Sequence, residues 1–581
     1  SFYPVRQFDN IRQMMDQSVQ LYGERTAFEV KTDKETTRNI TFNEYIGDIN
    51  ALSTYFCSLG DKSEFIAVCG DNCYEYCLTY LSAVCAGKVI VPIDRELHAE
   101  DILGIIAACD AKVLICDKKI HRDIHSFLPS DMIVLTFSGD CGEMTVDEAV
   151  KEGNELIESG KPLYCQVMQD PEKMCTLLFT SGTTGTSKGV MLCQRNFCFE
   201  VKAAMGVLKI TPDDCEISLL PIHHTFESCI VLFFAPYCGA KITFCDGFKY
   251  VLRNMKEFEP TVFVAVPMIL EIVHKRIMNE IKKRKNGERF FKIGKSLCKV
   301  ASKVHIDLRK VIFKEIQNTF GGKLRMIICG GAAIDPQIIK DFDSFGIQIV
   351  YGYGLTECAP LAIINHDRLR TTDSIGRPLP GVESKLIDVD SSGVGELCVK
   401  GGMVMLGYYN NREETEKVID PDGFFHTGDL AFIDRRGCYH ITGRCKNVIV
   451  TSNGKNIYPE ELEYHLDIND IINSSLVEGV ENKKGVTEIH AQIYPEMSMF
   501  SSIENEEERE KTIFAAVKSV VDSVNAALPG FKKIKSFTVR KDDFERTTTR
   551  KIKRNADGNK RKFRQKKADR KSDKSASGEK D

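Results

Sequence analysis

The stretch LLFTSGTTGTSKGVM, residues 177–191, combines residue types that suit the binding of a polyphosphate. It holds six hydroxyl residues and three glycines between two apolar ends, with Lys188 near its close. Glycines let a backbone approach a phosphate, and hydroxyl and N–H groups supply hydrogen-bond donors around it. The stretch differs from the Walker pattern because Ser187 precedes the lysine and Gly189 follows it. We therefore predict a phosphate-binding loop between a buried strand and a later helix, with an ordinary surface loop as the alternative.

Further glycine-rich and polar motifs occur later in the chain. They are GGAA at 330–333, YGYGLTE at 351–357, HTGD at 426–429, GRCK at 443–446 and NGKN at 453–456. The first two follow apolar runs that are predicted to be buried strands. Ligands bind at the carboxyl ends of strands in open α/β sheets, so we expect these motifs to share one site with the first loop.

The hydrophobic pattern predicts an α/β fold that positions these motifs. From Phe65 to Asp117, short β-rich runs alternate with helical segments, which is typical of parallel strands covered by helices. The same rhythm returns after the first loop in EISLL, KITFC, TVFVAVP, LRMIICGG and IQIVYGYG. We therefore predict a large N-terminal domain of mainly parallel sheets with flanking helices.

Three later regions depart from this pattern. Residues 281–319 are basic with apolar residues spaced by three and four, which predicts an amphipathic surface helix pair. After Arg444, strand patterns around one helix at about 504–528 predict a small α+β domain. Residues 560–581 carry ten Lys and Arg against four acids and almost no apolar residues, which is typical of a disordered tail. The predicted domains are 1–443, 444–554 and the tail 555–581.

The composition of the chain argues against a secreted, disulfide-bonded protein and against a membrane-spanning protein. The chain has 581 residues, 43% of them hydrophobic, and a net charge of -4 that indicates no particular class of partner. Its 22 cysteines contain no CxxC pair, which favours a reducing compartment. No signal peptide is recognised, and the longest lipid-like run is about half the roughly 20 residues of a spanning helix. These observations predict a cytoplasmic protein.

Six motifs in a fixed order carry a family resemblance. FTSGTTGTSKG, LPIHHTFE, YGYGLTE, TGD, GRCK and TTTRKIKR resemble those of the adenylate-forming superfamily of acyl-CoA synthetases, luciferases and peptide-synthetase adenylation domains, over residues 28–554. The resemblance implies that ATP activates a carboxylic acid as an acyl-adenylate, with release of pyrophosphate. A thiol, usually that of coenzyme A, then displaces AMP. It also implies that the large domain is the adenylation domain and that the small domain is a mobile cap.

The resemblance implies a role for each matching residue. Thr180 and Glu357 would hold Mg²⁺, because a hard cation prefers oxygen ligands. Asp429 would accept the ribose hydroxyls, and Arg444 would support the ribose beside it. The β- and γ-phosphates would be held by Thr180, Ser181, Gly182, Thr183, Thr184, Gly185 and Lys188. The adenine and α-phosphate would be bound at the strand ends, by stacking on Tyr353, by hydrogen bonding to Thr356 and by close backbone approach at Gly331 and Gly352. Tyr351 and Gly354 would be further nucleotide-binding residues of the same motif.

The last motifs match the moving parts of the family. Lys551 matches the mobile lysine that bridges the α-phosphate and the substrate carboxylate. Lys446 falls at the hinge, and the loop around Gly454 would line a thiol tunnel. Two residues depart from the family pattern, because Arg550 stands where glycine usually precedes the lysine and Ser187 replaces a proline. Lys541 and Lys553 are nearby alternatives to Lys551.

The pattern LPxxHxFE and the helical insert resemble the long-chain fatty acyl-CoA synthetase branch. His224 would be a catalytic-site residue at the edge of the acyl pocket, and it is favoured over its neighbour His223. The apolar segment after it would form a wall for a fatty chain or would simply pack in the core. Peptide-synthetase adenylation domains pair the amine of their substrate with an acidic residue in the acyl pocket. Glu227 is close enough in sequence to leave this substrate class as an alternative.

Other interpretations stay open for the acceptor, the tail and one histidine pair. A fatty acyl-AMP ligase that loads an acyl carrier protein is the nearest alternative, and a non-catalytic nucleotide-binding protein of the same fold is the second. The basic tail favours weak peripheral association with the inner membrane face, or it only adds solubility; no nucleic acid is expected. In HRDIH, His121 and His125 have the i, i+4 spacing of metal ligands but no third ligand in the sequence.

Overall fold

Parallel strands connected by helices form most of the chain, in agreement with the predicted α/β class. The computed structural model describes residues 2–33, 36–180, 187–302, 306–450, 456–482, 486–546, 552–556 and 558–559. Within these ranges the helices are α1 (Ile11–Tyr22), α2 (Phe42–Ser58), α3 (Tyr74–Cys85), α4 (Ala99–Ala108), α5 (Lys118–Ile124), α6 (Val146–Glu158), α7 (Gln194–Met205), α8 (Thr225–Cys229), α9 (Ala235–Cys238), α10 (Val251–Phe258), α11 (Pro267–Lys283), α12 (Gly287–Ser302), α13 (Arg309–Ile312), α14 (Lys314–Thr319), α15 (Pro336–Ser344), α16 (Arg412–Val418), α17 (Pro459–Asp467) and α18 (Glu506–Ala527).

The strands within the same described ranges are β1 (Thr26–Lys31), β2 (Thr37–Thr41), β3 (Phe65–Cys69), β4 (Val89–Pro92), β5 (Val113–Cys116), β6 (Ile133–Thr136), β7 (Met144–Thr145), β8 (Met174–Thr180), β9 (Lys188–Cys193), β10 (Cys215–Ser218), β11 (Lys241–Phe244), β12 (Val262–Ala265), β13 (Met326–Cys329), β14 (Gln348–Gly354), β15 (Leu361–Ile364), β16 (Arg377–Pro378), β17 (Glu383–Ile387), β18 (Gly395–Lys400), β19 (Gly407–Tyr408), β20 (Phe425–Ile433), β21 (Tyr439–Arg444), β22 (Ile449–Val450), β23 (Asn456–Ile457), β24 (Ile472–Glu481), β25 (Thr487–Pro495) and β26 (Ser536–Val539).

The chain divides into two compact units between Ile441 and Thr442. The division predicted from the sequence is two residues later, between Gly443 and Arg444. The assignment of the first unit to adenylation and of the second to a mobile cap stays a prediction. Across the described residues, no helix is long and apolar enough to cross a membrane.

The first unit contains two large sheets that are parallel over most of their width. One sheet has the strand order β16-β15-β14-β13-β12-β10-β11-β1-β2, and the five predicted strands from EISLL to IQIVYGYG all belong to it. The other has the order β19-β9-β8-β4-β3-β5-β6-β7. Helix α3 is almost entirely buried, as expected for a helix that is apolar on all sides. It packs on β4 and on α2, whose first turn is fixed by a capping box of Thr41 and Glu44.

The first loop is closed by a strand pair, which corrects the predicted order of strand, loop and helix. β8 and β9 are antiparallel neighbours, with Thr180 opposite Lys188, and α7 begins only after β9. The sequence of β9, KGVMLC, is short and begins with two loop-forming residues, so its strand character was not evident.

A smaller antiparallel sheet completes the first unit and carries the HTGD motif. Its strand order is β17-β18-β20-β21. β20 alternates between buried and partly buried residues, which is the pattern of a strand with one face on the core.

The second unit is the α+β unit predicted from the sequence. β24, β25 and β26 form a sheet, and the predicted helix at about 504–528 is α18. Its core joins the apolar faces of α17 and α18 to the sheet through side chains such as Leu462, Val477 and Val517.

Candidate functional site

The base of the first loop holds two of the predicted phosphate and metal ligands. Thr180 and Lys188 face each other at the ends of β8 and β9. The Ser187 hydroxyl donates to the Thr180 carbonyl at 3.1 Å, and the Thr180 hydroxyl donates to the Lys188 carbonyl at 3.4 Å. The strand pair therefore fixes both ends of the loop. The predicted loop residues Ser181, Gly182, Thr183, Thr184 and Gly185 lie outside the described residues.

Lys188 is held from two sides by residues of the segment that follows β18. Its ammonium group forms an ion pair with Glu414 on α16 and lies 5.0 Å from the centre of the Tyr408 ring. Lys188 and Lys417 together lower the pKa of Glu414 to about 2, with hydrogen bonding as the main cause. Tyr408 is in place because β19 pairs with β9, with Tyr408 opposite Val190. The Lys188 side chain is therefore directed by strand pairing and by charge.

Glu357 joins this group through the same tyrosine. It lies in a short turn, Thr356–Cys358, directly after β14. The Tyr408 hydroxyl donates to Glu357 Oε1 at 2.9 Å, and the Met405 N–H donates to the Glu357 carbonyl at 2.9 Å. Burial and the Glu357 charge raise the pKa of Tyr408, so the phenol stays a neutral donor. Tyr408 thus links the carboxylate predicted for the metal with the lysine predicted for phosphate.

The donors around Glu357 fit a hard divalent cation. A carboxylate has several lone pairs, and Tyr408 occupies one of them, so Glu357 keeps the capacity to bind a cation. The Thr180 hydroxyl is a second oxygen of the type that Mg²⁺ accepts. The Lys188 ammonium group would offset part of the negative charge of a bound triphosphate, with or without a metal ion. Thr180 and Glu357 are therefore suitable ligands in their chemistry, and their role in metal binding stays a prediction.

The glycines of the strand-end motifs lie where side chains would collide or strain the backbone. Gly331 follows β13 and has a φ of 89°, in the left-handed region that favours glycine. A Cβ on Gly352 would lie 2.8 Å from Ile364 on the paired strand β15. One on Gly354 would lie 1.9 Å from the carbonyl oxygen of Pro360. These two glycines are required by packing inside the protein, whether or not a nucleotide also approaches them.

The two predicted adenosine-binding motifs meet at one hydrogen bond. The Tyr353 hydroxyl on β14 donates to Asp429 Oδ2 on β20 at 2.5 Å. Asp429 is buried, and its N–H donates to the Thr427 hydroxyl at 3.1 Å. Burial and the Asp429 charge raise the pKa of Tyr353, which keeps its proton. The structure therefore brings together the residues predicted for the adenine and for the ribose. Tyr351 lies two residues earlier on β14 and donates to the Ala332 carbonyl at 3.0 Å.

Of the two adjacent histidines, His223 is the more buried one. Its Nε2 lies 3.6 Å from Asp94 Oδ2, and burial lowers its pKa well below the usual value. His224, favoured from the sequence, is partly buried and caps the start of α8. The two rings are 4.1 Å apart between centroids. Both histidines thus share the turn before α8, and which of them edges an acyl pocket stays a prediction.

The apolar segment after His224 packs in the core. Phe233 stacks on Phe197 of α7 with ring centroids 4.6 Å apart and contacts Tyr80 of α3 edge-on at 6.1 Å. The residues 229–235 are all buried within the main core. These contacts support the interpretation that most of this segment packs in the core and does not form a wall for a fatty chain.

Glu227, which kept open a substrate with an amine group, forms hydrogen bonds within the protein itself. It is fully buried in α8, and its Oε1 accepts hydrogen bonds from the Ser218 hydroxyl at 2.6 Å and from the Leu219 N–H at 3.0 Å. Burial raises its pKa to about 8. Burial and the nearby Glu227 also raise the pKa of Glu216 on β10. Glu227 therefore joins α8 to the end of β10, and its burial favours the protonated form of the carboxyl group.

Replacing Glu227 by glutamine should reduce the loss of stability that the protein suffers as the pH rises from 4.5 to about 8. The pKa of this carboxyl group is 4.5 in the unfolded chain and about 8 in the fold, so the folded state holds more protons between these values and stability falls as pH rises through them. Glutamine keeps the acceptor oxygen and does not ionise. Urea midpoints at about pH 6 and about pH 8 should differ less for Glu227→Gln than for the wild type. Glu383→Gln, at an exposed position, should behave as the wild type; equal behaviour of Glu227→Gln would contradict the assignment.

The remaining predicted site residues belong to the second unit. The structure describes Arg444 and Lys446 but not Gly454 and Lys551. Arg444 ends β21, and Lys446 is exposed in the turn Cys445–Asn447. Of the two alternatives to Lys551, Lys541 forms an ion pair with Glu510 at 2.6 Å and Lys553 is exposed.

The chain on both sides of Lys551 is attached to the body of the second unit. Arg546 pairs with Ile552 in an isolated β-bridge and with Asp543 in an ion pair at 3.0 Å. Arg554 donates two hydrogen bonds of 2.6 Å to Glu463 on α17. Both anchors were missed from the sequence; Arg554 lies in TTTRKIKR, and Arg546 lies directly before this motif.

The histidine pair of HRDIH gains a third polar neighbour in the fold. His121 Nε2 and His125 Nε2 lie 3.4 Å and 3.5 Å from the same oxygen of Glu143. His125 is exposed on this surface. Attraction between imidazole and carboxylate accounts for the arrangement.

Comparison with known proteins places these motifs in a family. A family model described as "AMP-binding enzyme" matches residues 15–409, which is more than half of the chain. The chain belongs to the AMP-binding enzyme family. This match covers the first loop, the strand-end motifs and Tyr408, and it ends before the HTGD motif.

Curated members of the AMP-binding enzyme family that resemble the chain are named as fatty acid ligases. Long-chain-fatty-acid–CoA ligase 5 of Rattus norvegicus is 30% identical over 459 residues, which are 72% of this chain and 65% of the relative. Fatty acyl-CoA synthetase A of Dictyostelium discoideum is 28% identical over 536 residues, 85% of this chain and 80% of the relative. The chain therefore spans slightly less than two-thirds of the length of the rat ligase.

Solved structures of the same fold cover nearly the whole chain. The anthranilate CoA ligase AuaEII in complex with anthranoyl-AMP matches 95% of this chain and 96% of its own, with a TM-score of 0.72 and 20% identity. ATP-bound MatB from Rhodopseudomonas palustris matches 93% and 97%, with a TM-score of 0.71 and 23% identity. At this identity the likeness establishes the fold of the AMP-binding enzyme family for this chain.

Proposed function

We propose that the chain is an acid–thiol ligase that uses ATP and Mg²⁺ to join a fatty acid to coenzyme A. The observation that carries the proposal is the linkage of Glu357 and Lys188 through Tyr408. It groups a carboxylate suited to a metal ion with an ammonium group suited to phosphate, at the base of the Ser/Thr/Gly loop. The names of the relatives support the direction of the chemistry.

The proposed reaction has two displacements. A carboxylate oxygen attacks the α-phosphorus of ATP, the bond to the β-phosphate oxygen breaks and pyrophosphate leaves. The thiolate of coenzyme A then attacks the acyl carbon, the bond between that carbon and the phosphate oxygen of the mixed anhydride breaks, and AMP leaves with its electron pair. Both steps build negative charge on oxygens, so fixed positive charges and donors accelerate them. A metal ion held by Thr180 and Glu357 would offset charge on the departing pyrophosphate.

The protein's own residues would divide the work as follows. Lys188 would attract the β- and γ-phosphates, and Thr356 would donate to the α-phosphate. Tyr353 would offer its ring to the adenine, while Asp429 would accept the ribose hydroxyls and Arg444 would support them. Lys551 would carry positive charge to the reacting carboxylate.

The acyl and acceptor specificities belong to the same proposal. The names of the relatives favour a fatty acid, in one case a long-chain one, and a medium-chain acid stays within the proposal. Coenzyme A is the proposed acceptor, and an acyl carrier protein is the alternative. A reducing compartment such as the cytoplasm suits the cysteine content. The basic tail, which lies outside the described residues, would add weak attraction to an anionic inner membrane face.

A substrate screen tests the proposal directly. Pyrophosphate release is measured over a panel of carboxylic acids of increasing chain length, with and without coenzyme A, and with an acyl carrier protein in parallel. We expect release with fatty acids and thioester formation with coenzyme A. Release followed by loading of the carrier protein alone would establish the alternative ligase. Absence of release with every acid would reject the enzymatic proposal.

Replacing Asp429 by alanine should weaken ATP binding by about 10–100-fold, because two hydrogen bonds from the ribose to a charged acceptor are lost. Isothermal titration calorimetry of the full chain measures the affinity. Asp422→Ala removes an exposed carboxylate nearby in sequence and should bind ATP as the wild type does. Unchanged affinity in Asp429→Ala, with an unchanged circular dichroism spectrum, would contradict the ribose role.

A further inference from the structure

Helix α12, in the basic insert, has a face that is fixed to the protein by close packing. The buried residues Phe291, Gly294 and Cys298 are spaced by three and four and form one row along the helix. The Phe291 ring lies 5.8 Å from the rings of both Phe313 and Phe345, measured between centroids. These contacts set the rotation of α12 about its axis, so the side chains of its other faces are directed outward.

Charge pairing fixes the same orientation. Lys295 Nζ lies 2.6 Å from Asp341 Oδ1 on α15, and His274 of α11 lies 2.9 Å from the other oxygen of Asp341. A Cβ on Gly294 would lie 3.0 Å from Ile312, so the helix approaches its neighbours as closely as a glycine allows. The outward face of α12 is therefore a defined surface of the first unit.

The outward face carries an apolar row that the protein leaves in contact with water. Phe290, Ile293, Leu297 and Val300 follow the same spacing of three, four and three residues, and they are 68%, 46%, 53% and 65% exposed. Single exposed apolar residues are ordinary, but a contiguous row rimmed by polar residues marks an interaction site. The sequence pattern predicted an amphipathic helix, and the structure shows that one of its apolar rows has no cover among the described residues.

A basic row lies directly beside the apolar row. It consists of Arg289, Lys292 and Lys299, with the neutral Ser296 between the two lysines, and each of these residues comes one position before a member of the apolar row. Residues 282–302 contain eight Lys and Arg and one acid, Glu288. An apolar row with an adjacent basic row is the pattern of a helix that lies in the plane of a bilayer interface. There the apolar side chains enter the boundary of the acyl chains, and the cations meet lipid phosphates.

We infer that the outward face of α12 docks the protein on an anionic lipid surface. A second copy of the chain is disfavoured as the occupant, because it would cover the apolar row but would bring no anionic group to the basic row. A nucleic acid would meet the cations but would leave the apolar row in water. Anionic lipid satisfies both rows at once. This inference concerns binding and is independent of the proposed ligase reaction.

Co-sedimentation with vesicles tests the inference on the full chain. Vesicles of phosphatidylcholine with phosphatidylserine are compared with vesicles of phosphatidylcholine alone. The wild type should bind the anionic vesicles, and added salt should weaken the binding. The pair Phe290→Ser and Leu297→Ser removes apolar contact without changing charge, and it should lower the partition coefficient by about tenfold or more. The triple change Arg289→Gln, Lys292→Gln and Lys299→Gln should lower it for anionic vesicles only.

The control keeps the basic tail and removes equally exposed apolar residues elsewhere. Phe127→Ser with Leu369→Ser changes side chains that are 67% and 63% exposed, and it should leave vesicle binding unchanged. Binding by the Phe290→Ser and Leu297→Ser protein that equals the wild type would overturn the inference and assign the attraction to the tail. A dimer that this pair of changes dissociates, without wild-type binding to vesicles, would also overturn it in favour of a second copy.

Discussion

Glu357→Gln should lower the rate of acyl-adenylate formation by about 10²–10³-fold, because it removes the charge that would hold the metal ion beside the triphosphate. Glutamine has nearly the same shape and can still accept the Tyr408 hydrogen bond, so the turn after β14 should keep its structure. The rate is measured by acid-dependent exchange between pyrophosphate and ATP at several Mg²⁺ concentrations. If charge is the cause, higher Mg²⁺ should restore part of the lost rate.

Glu413→Gln is the matched control for this change. Glu413 is exposed on α16 beside Glu414 and pairs with Lys417, so its change alters the net charge equally and leaves the Glu357 group intact. We expect its exchange rate to equal that of the wild type. An unchanged rate in Glu357→Gln would reject Glu357 as a metal ligand, and an equal loss in both variants would indicate a general charge effect.

The second large effect is expected at Lys551. Its change to alanine should lower adenylation by about 10²–10³-fold, because a compact positive charge next to the attacking carboxylate is lost. The transfer of a preformed acyl-adenylate to coenzyme A should change much less, since the thiol step would not use this lysine. Single-turnover assays of the two steps separate these effects.

Lys553→Ala is the control, because it removes an exposed lysine two residues away on the same segment. It should leave both steps unchanged. A large loss in Lys553→Ala with none in Lys551→Ala would transfer the role to Lys553. Losses of equal size in both steps for Lys551→Ala would point to a folding defect of the second unit, which its unfolding transition would reveal.

The elements that were predictable are those whose signal is local. The alternation from Phe65 to Asp117 gave β3, α3, β4, α4 and β5, because buried parallel strands are continuous apolar runs with helices between them. The strand β9 was missed, because its role as a partner of β8 depends on pairing across a loop. The antiparallel sheet that carries Asp429 was also missed, since its half-exposed strands have weaker apolar runs.

The sequence motifs identified candidate site residues within the motifs, but they did not reveal the residues elsewhere in the chain that contact them. The structure brings Tyr353 into contact with Asp429, and their assignment to the adenine and the ribose stays a prediction. Tyr408 and Glu414 have no motif of their own, and they reach Lys188 only through the pairing of β19 with β9. Contacts between residues about 220 positions apart depend on the register of strands, which a single sequence does not reveal.

The hydrogen bond between Tyr353 and Asp429 changes the meaning of any affinity measured at this site. In the free protein the Asp429 carboxylate already accepts a hydrogen bond from the Tyr353 hydroxyl, so a ribose bound as we propose would compete with the phenol for the same oxygen. Association is then an exchange of partners, and its net free energy is smaller than the strength of the new bonds. A ligand without ribose hydroxyls would leave this hydrogen bond in place and would gain no binding free energy from Asp429.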